Sequence, residues 1–350
     1  RCQMCRIWEN KKEYEVSLEK LRAGLRNDLF SEVQTVGLNG GEPTLRKDLG
    51  QITKVLFEEL PKLNQIALIT NGYKFKEVIE RTDEIGKIVK DNNGTFNMMV
   101  SLDGYGAVHD AVRGKPGNFD RAEKVIDHCL KSEYVDVLRI GCTIIKENVY
   151  GMHDLFDYCK KKGVYIKYRL GIPHKRLYSD KLTEPYALNY SEKVHIAEFL
   201  NHLINNYESD ILQRYFYSSL RDQLLFDTKR KAGCNWQHRG ATINSKGELL
   251  YCAVESEVIG DLEKDDSMKV YFNQKNHLQN IIKDKCDDCN HDYTGFPDRK
   301  ELPTMLLNEI SIKLKRFIKK NNDRWFGNLA IDVSYSFLRL KHQFHRLFSK

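Results

Sequence analysis

The chain has 350 residues, 41% hydrophobic and 30% charged, which is ordinary for a soluble globular protein and long enough for two or three domains. No apolar run approaches the roughly 18 residues that span a bilayer and no signal-peptide pattern is visible, so no membrane-spanning helix is indicated and a cytoplasmic location is expected. The net charge of +7 is concentrated in residues 311–350, where ten Lys/Arg face only Asp323 and Asp332; the near-neutral remainder excludes a nucleic-acid-binding core.

In chain order, SLEKLRAGLRNDLF (17–30) has helical apolar spacing with Ser17 as its N-cap. VQTVGLNGGEP (33–43) is a β-branched run ending in glycines, followed by helical DLGQITKVLFEEL. QIALITNG (65–72) predicts a strand, KEVIERTDEIGKIVKD a helix, TFNMMVSLDG (95–104) a strand and FDRAEKVIDHCLKSE a helix. VDVLRIGCTII (135–145) is a strand, MHDLFDYCKKKG a helix with a glycine stop, and VYIKYRLGIP (164–173) a strand. Strand and helix alternate every thirty residues or so, which implies βαβ units and a parallel sheet with functional groups at the strands' C-terminal ends. The polar stretches LNGGEPT, ITNG, SLDG and RLGIPH sit at those ends. Beyond Pro173 the rhythm stops: 190–226 reads as one or two helices, 232–295 as a cysteine-bearing module and 303–348 as helix.

Nine cysteines in such a chain favour metal, redox or buried thiols over disulfides. RCQMC, with Cys2 and Cys5, is by itself compatible with a thioredoxin-like pair, a zinc knuckle or part of an iron–sulfur loop. Cys234, Cys252, Cys286 and Cys289 form two further pairs and make a thiolate site for zinc or iron–sulfur. TINSKGELLYC predicts a β-hairpin turning near Lys246-Gly247, which would bring Cys234 and Cys252 together. Cys129, Cys142 and Cys159 are single and are expected to be buried apolar residues.

These motifs together resemble the radical S-adenosylmethionine (SAM) enzymes with a SPASM/twitch-type auxiliary domain. RCQMC resembles the end of that family's C-x3-C-x2-C loop, with Met4 as the bulky residue before the last cysteine and Trp8 in a common extension. The resemblance implies that Cys2 and Cys5 ligate a [4Fe–4S] cluster whose remaining cysteine is expected two positions before Arg1. GGEPT, comprising Gly40, Gly41, Glu42 and Pro43, would meet the amino group of SAM. Asn71 of the TNG motif follows at the next strand end. Ser101 and Arg113 in SLDGYGAVHDAVRG would hold ribose and carboxylate, a planar guanidinium suiting a carboxylate. Asp103 is a further candidate, although Asp-Gly often marks only a turn and His109 with Asp110 reads as loop stabilisation. Leu170 lies by position at the adenine end. The frame of Cys234, Gly247, Cys252 and Cys286-x2-Cys289 resembles the twitch domain and implies one auxiliary [4Fe–4S] cluster with those four cysteines as ligands.

The fold then expected is α/β: a partial (β/α)6 TIM-like barrel at 1–173 lacking its first strand, a helical connection at 174–231, the auxiliary domain at 232–296 and a basic helical tail at 297–350. The implied activity is reductive cleavage of SAM to a 5′-deoxyadenosyl radical, which abstracts a substrate hydrogen in an oxidoreductase-type reaction. A sugar, cyclitol or lipid-linked glycan is one substrate class, a peptide or protein side chain the other. A non-catalytic metal-stabilised scaffold is a third reading. Catalytic residues are not assigned; His174, Tyr168 and Arg239 are positional candidates for taking a proton. A flavodoxin- or ferredoxin-type reductant is the expected partner. Phe337, Leu340, Phe344 and Leu347 give the tail a basic amphipathic pattern that would either dock on the body or touch an anionic membrane.

Overall fold

The computed structural model describes residues 2, 4–9, 15–173 and 183–321. By contact clustering the chain forms two units, Arg1–Glu192 with Trp236–Asp292, and Lys193–Asn235 with Tyr293–Lys350.

The first unit is built on five parallel strands, β1 (Thr35–Leu38), β2 (Gln65–Thr70), β3 (Thr95–Ser101), β4 (Val137–Ile144) and β5 (Tyr165–Leu170), paired in sequence order as an open sheet of the partial-barrel type. Helices α1 (Leu18–Leu25), α2 (Leu49–Glu59), α3 (Phe75–Asp91), α4 (Ala107–Arg113), α5 (Asn118–Cys129) and α6 (Met152–Lys162) occupy the connections. Side chains alternate along each strand. Ile66, Leu68, Phe96, Met98, Val100, Ile140, Cys142, Ile166 and Tyr168 are fully buried on one face, where they meet Val78, Ile85, Val125, Ile126 and Leu155 from the helices. Cys129, Cys142 and Cys159 all belong to this core, and burial pushes the thiols of Cys129 and Cys159 up to about 12.

The sequence-read elements recur with local differences. The predicted helix at 17–30 stops at Leu25, because Asn27 turns its side chain onto Leu29 N–H and starts a separate 3-10 turn at Asp28–Phe30. Ser17 is the N-cap as expected, accepting from Lys20 N–H at 3.3 Å. Helix α4 was not anticipated; glycines at both of its ends, Gly106 and Gly114, mask its short apolar pattern.

The cysteine-bearing segment 236–292 packs on the sheet's α1 edge. It contains α9 (Trp236–Arg239), the antiparallel strands β6 (Thr242–Ile243), β7 (Glu248–Leu250) and β8 (Gly260–Asp261), α10 (Ser267–Asn273) and α11 (Lys275–Asp284). The hairpin turn falls where expected: Asn244 Oδ1 accepts from Lys246 and Glu248 N–H, and Gly247 takes φ +85°. Val16 N–H donates to Ser245 O, and a Cβ on Gly24 would lie 2.7 Å from Leu262 Cβ, so the two segments touch closely.

The second unit contains α8 (Ile211–Phe226), α12 (Leu302–Asn321) and nearly all of α7 (Tyr190–Asn206), which Asn189 and Glu192 open with a reciprocal capping box. Phe199, Leu203, Phe216, Tyr217 and Leu220 are buried there. Of the tail, α12 covers part of the expected helix; Phe337, Leu340, Phe344 and Leu347 lie outside the described residues, as does His174. Among the described residues no helix is long and apolar enough to cross a membrane.

Candidate functional site

The C-terminal ends of β1–β4 converge with the cysteine loop at one rim. Glu42, at the start of a 3-10 turn Pro43–Leu45, is fixed by four donors: Thr44 Oγ1 at 2.7 Å, Thr44 N–H at 3.4 Å, Thr70 Oγ1 at 2.8 Å and Asn71 N–H at 2.7 Å. The GGEPT and TNG motifs are thus one hydrogen-bonded structure. Gly40 holds φ +138°, and nothing lies within 4 Å of where its Cβ would stand, so the exposed backbone there can be approached closely. Asn71 Oδ1 closes its own turn by accepting from Tyr73 N–H.

Ser101 ends β3 and is half-buried on the face opposite the helices, in register with Gly141. Asp103 follows and is 1% exposed. Its Oδ2 lies 2.7 Å from Arg113 Nη2, its Oδ1 accepts from Thr143 N–H at 3.0 Å, and its carbonyl accepts from Asn148 Nδ2 at 2.8 Å. Both carboxylate oxygens are therefore engaged within the protein, and Asp103 acts on Arg113. Burial works against the charge of Arg113, but Asp103 first, then Cys2, Cys5 and Glu42, outweigh it and raise the pKa further. Four negative or potentially negative groups from three separate motifs thus act on one guanidinium. Burial pushes the Cys5 thiol up, with the Ile7 backbone N–H opposing it. Met4, between the cysteines, is anchored by Tyr186 Oη, which donates to its carbonyl.

His109 is fully buried; its Nδ1 accepts from Asp103 N–H at 2.9 Å, and its Nε2 lies 3.2 Å from Asn118 Nδ2. Burial, then the Arg113 charge, lowers its pKa to about 4, so the ring is neutral at ordinary pH. Asp110 accepts from Gly117 and Phe119 N–H. The HD pair therefore stabilises the loop. Leu170 is a core side chain at the end of β5, and Tyr168, offered by position, is buried with its hydroxyl on Met152 O. Thr44, Thr70, Asn148 and Tyr186 were missed by the sequence reading: each is an ordinary polar residue whose role comes from what it touches.

In the cysteine-bearing segment, Cys286 and Cys289 flank a 3-10 turn, and the Cys252 sulfur accepts from Glu255 N–H at 3.4 Å. All three are half-buried; Cys234 falls in the second unit. Among the described residues no three His, Cys, Asp or Glu side chains converge as a mononuclear ion needs. An iron–sulfur cube takes one thiolate at each iron corner, so its ligands surround a volume instead.

Residues 1–159 match the radical SAM superfamily model. That segment, a little under half of the chain, is a radical SAM domain. Its N-terminal part is 30% identical over 172 residues to a GTP 3′,8-cyclase of Nautilia profundicola, covering 49% of each chain. It is 35% identical over 153 residues to an Fe-coproporphyrin III synthase of Methanosarcina barkeri, covering 43% of this chain and 35% of that protein. The chain thus spans half or less of the length of these relatives. The fold is similar to that of native anSMEcpe with bound AdoMet and Cp18Cys peptide, at TM-score 0.54 and 17% identity, with 92% of this chain and 95% of that one covered. For this radical SAM domain, the rim at the strand ends is the candidate site for cluster and SAM.

Proposed function

We propose that this chain is a radical SAM enzyme that cleaves SAM reductively and abstracts a hydrogen atom from a sugar- or cyclitol-type metabolite or lipid-linked glycan, in an oxidoreductase-type reaction. The observation that carries this reading is the convergence of Cys2, Cys5, Glu42 and Asp103 on Arg113. Cys2 and Cys5, both half-buried, would hold two irons of the cluster. Glu42 and the GGEPT backbone would bind the ammonium of SAM, and Arg113, oriented by Asp103, its carboxylate. Ser101, at the neighbouring strand end, would take the ribose, and the main chain at Leu170 the adenine end. When bound, the cluster supplies the electron that breaks the sulfonium bond of SAM and yields the 5′-deoxyadenosyl radical. The chain's own residues orient the two reactants and keep water from them. Cys234, Cys252, Cys286 and Cys289 would hold an auxiliary [4Fe–4S] cluster as an electron path, with a flavodoxin- or ferredoxin-type donor and a cytoplasmic setting. The likeness to a peptide-bound structure supports a second reading, oxidation or cross-linking of a peptide side chain.

The test is anaerobic reconstitution with iron and sulfide, then dithionite and SAM. The expected product is 5′-deoxyadenosine, lost together with part of the iron in C2S and C5S. Protein that carries zinc and no iron, or leaves SAM intact, overturns the reading. Mass shifts of a peptide against a carbohydrate substrate separate the two classes. Flotation with anionic vesicles, with and without residues 311–350, decides whether the tail meets a membrane.

A further inference from the structure

The face of the sheet turned away from the helices is chemically lopsided. Strand alternation assigns to it Thr35, Gln65, Ala67, Ile69, Asn97, Met99 and Ser101 on β1–β3, all uncharged. On β4 and β5 the same face carries Arg139, Gly141, Thr143, Tyr165, Lys167 and Arg169. The strands place three cations there and no acid.

One acid answers them from outside the sheet. Asp292, three residues beyond Cys289, is 14% exposed; its carbonyl accepts from Lys167 Nζ at 3.1 Å, and its carboxylate lies 3.5 Å from Lys167 Nζ and from Arg169 Nη1. Arg169 also donates to Thr143 Oγ1 at 3.0 Å, which fixes its direction across the face. One carboxylate against two cations leaves a surplus, and Arg139, exposed and in register with Tyr165 and Met99, makes no ion pair among the described residues. The patch carries a net charge of about +2, opposite to the −1.5 to −2 of a phosphate monoester near neutral pH.

Position supplies a second argument. Ser101, Gly141 and Lys167 form one row across β3, β4 and β5. Strands lie about 4.8 Å apart, so Lys167 stands about 10 Å from the serine at the proposed SAM site. Between them Gly141 carries no side chain, and the Met99 thioether packs over it, with Sδ 2.9 Å from where a Cβ would stand.

We infer that the inner face at Arg139, Lys167 and Arg169 binds the phosphate of a phosphorylated small-molecule substrate, with its reacting carbon held about 10 Å away beside Ser101. The inference rests on the SAM site proposed above. Asp292 sets the strength of the patch by neutralising one of its charges.

The test is calorimetric titration of the reconstituted, SAM-loaded protein with glycerol 3-phosphate, and with glycerate and glycerol as the singly charged and uncharged probes. Saturable binding of glycerol 3-phosphate is expected, with glycerate at least tenfold weaker and glycerol silent. R139Q and K167Q should each weaken binding about tenfold, the effect of one lost charge-assisted hydrogen bond. D292N should act in the opposite direction and tighten it, with thermal melts confirming that each variant is folded. Wild-type protein that binds SAM but not glycerol 3-phosphate overturns the inference alone. So does binding that R139Q leaves unchanged, or glycerate binding of equal strength. Failure to bind or cleave SAM instead overturns the underlying site.

Discussion

Two buried arginine–carboxylate pairs, one in each unit, use the same chemistry in opposite ways. In the second unit Arg214 and Glu309, 7% and 9% exposed, meet side-on: Nε donates to Oε1 at 2.6 Å and Nη2 to Oε2, while Nη1 donates to Glu208 O at 2.8 Å. Every edge of that guanidinium faces protein from α8, α12 and the α7–α8 turn, and its work is to hold helices. At the rim of the first unit Arg113 reaches Asp103 through Nη2, and the further groups that act on it are Cys2, Cys5 and Glu42, from loops at two different places in the chain. A saturated pair fixes a fold; a pair encircled by cofactor-binding candidates fixes a site.

Breaking the helical pair should have the largest effect. R214M leaves Glu309 buried without its cation and should cost about 3–5 kcal/mol, read as a fall in the thermal or urea midpoint, while the double variant R214M/E309L recovers most of the loss. No recovery in the double variant would mean that the pair does more than tie helices. Acid sharpens the contrast from the other side. His109, beside the rim pair, titrates at about 4 in the folded chain against 6.5 in the unfolded one. The unfolded state therefore binds more protons between those values, so stability is flat above about pH 6.5 and falls by roughly 3 kcal/mol as pH drops from 6.5 to 4. H109Q should flatten that slope; an unchanged slope would remove His109 from the account. At the rim pair itself, R113K keeps a charge but loses the planar fork, and SAM affinity should drop about tenfold with a smaller change in melting temperature. Equal losses in both readouts would make Arg113 merely structural. The smallest change is expected from the cap: S17A should lower stability by about 1 kcal/mol and leave SAM binding alone.

The five strands and most helices were legible because their apolar periodicity is local, and the strand-end motifs GGEPT, TNG and SLDG because each is contiguous. Helix α4 escaped because seven residues between two glycines give too short a pattern. Thr70 under Glu42, Asn148 between Asp103 and Thr143, and Tyr186 on the cysteine loop escaped for another reason. Their partners lie 28, 45 and 182 residues away, and no spacing rule reaches that far. Asp292 is the extreme case: in sequence it is one acid in a polar loop, and in the fold it faces two cations of β5.

The sequence by itself determined the alternation of strand and helix, the parallel sheet and the identity of the groups at its rim, since hydrophobic period and turn chemistry act over a few residues. Which of those groups would touch a cofactor and which hold their neighbours in place was decided only by tertiary structure. A carboxylate's role depends on which donors burial leaves around it, and for Asp103 those donors arrive from α4 and β4, through closures of the chain that no local pattern encodes.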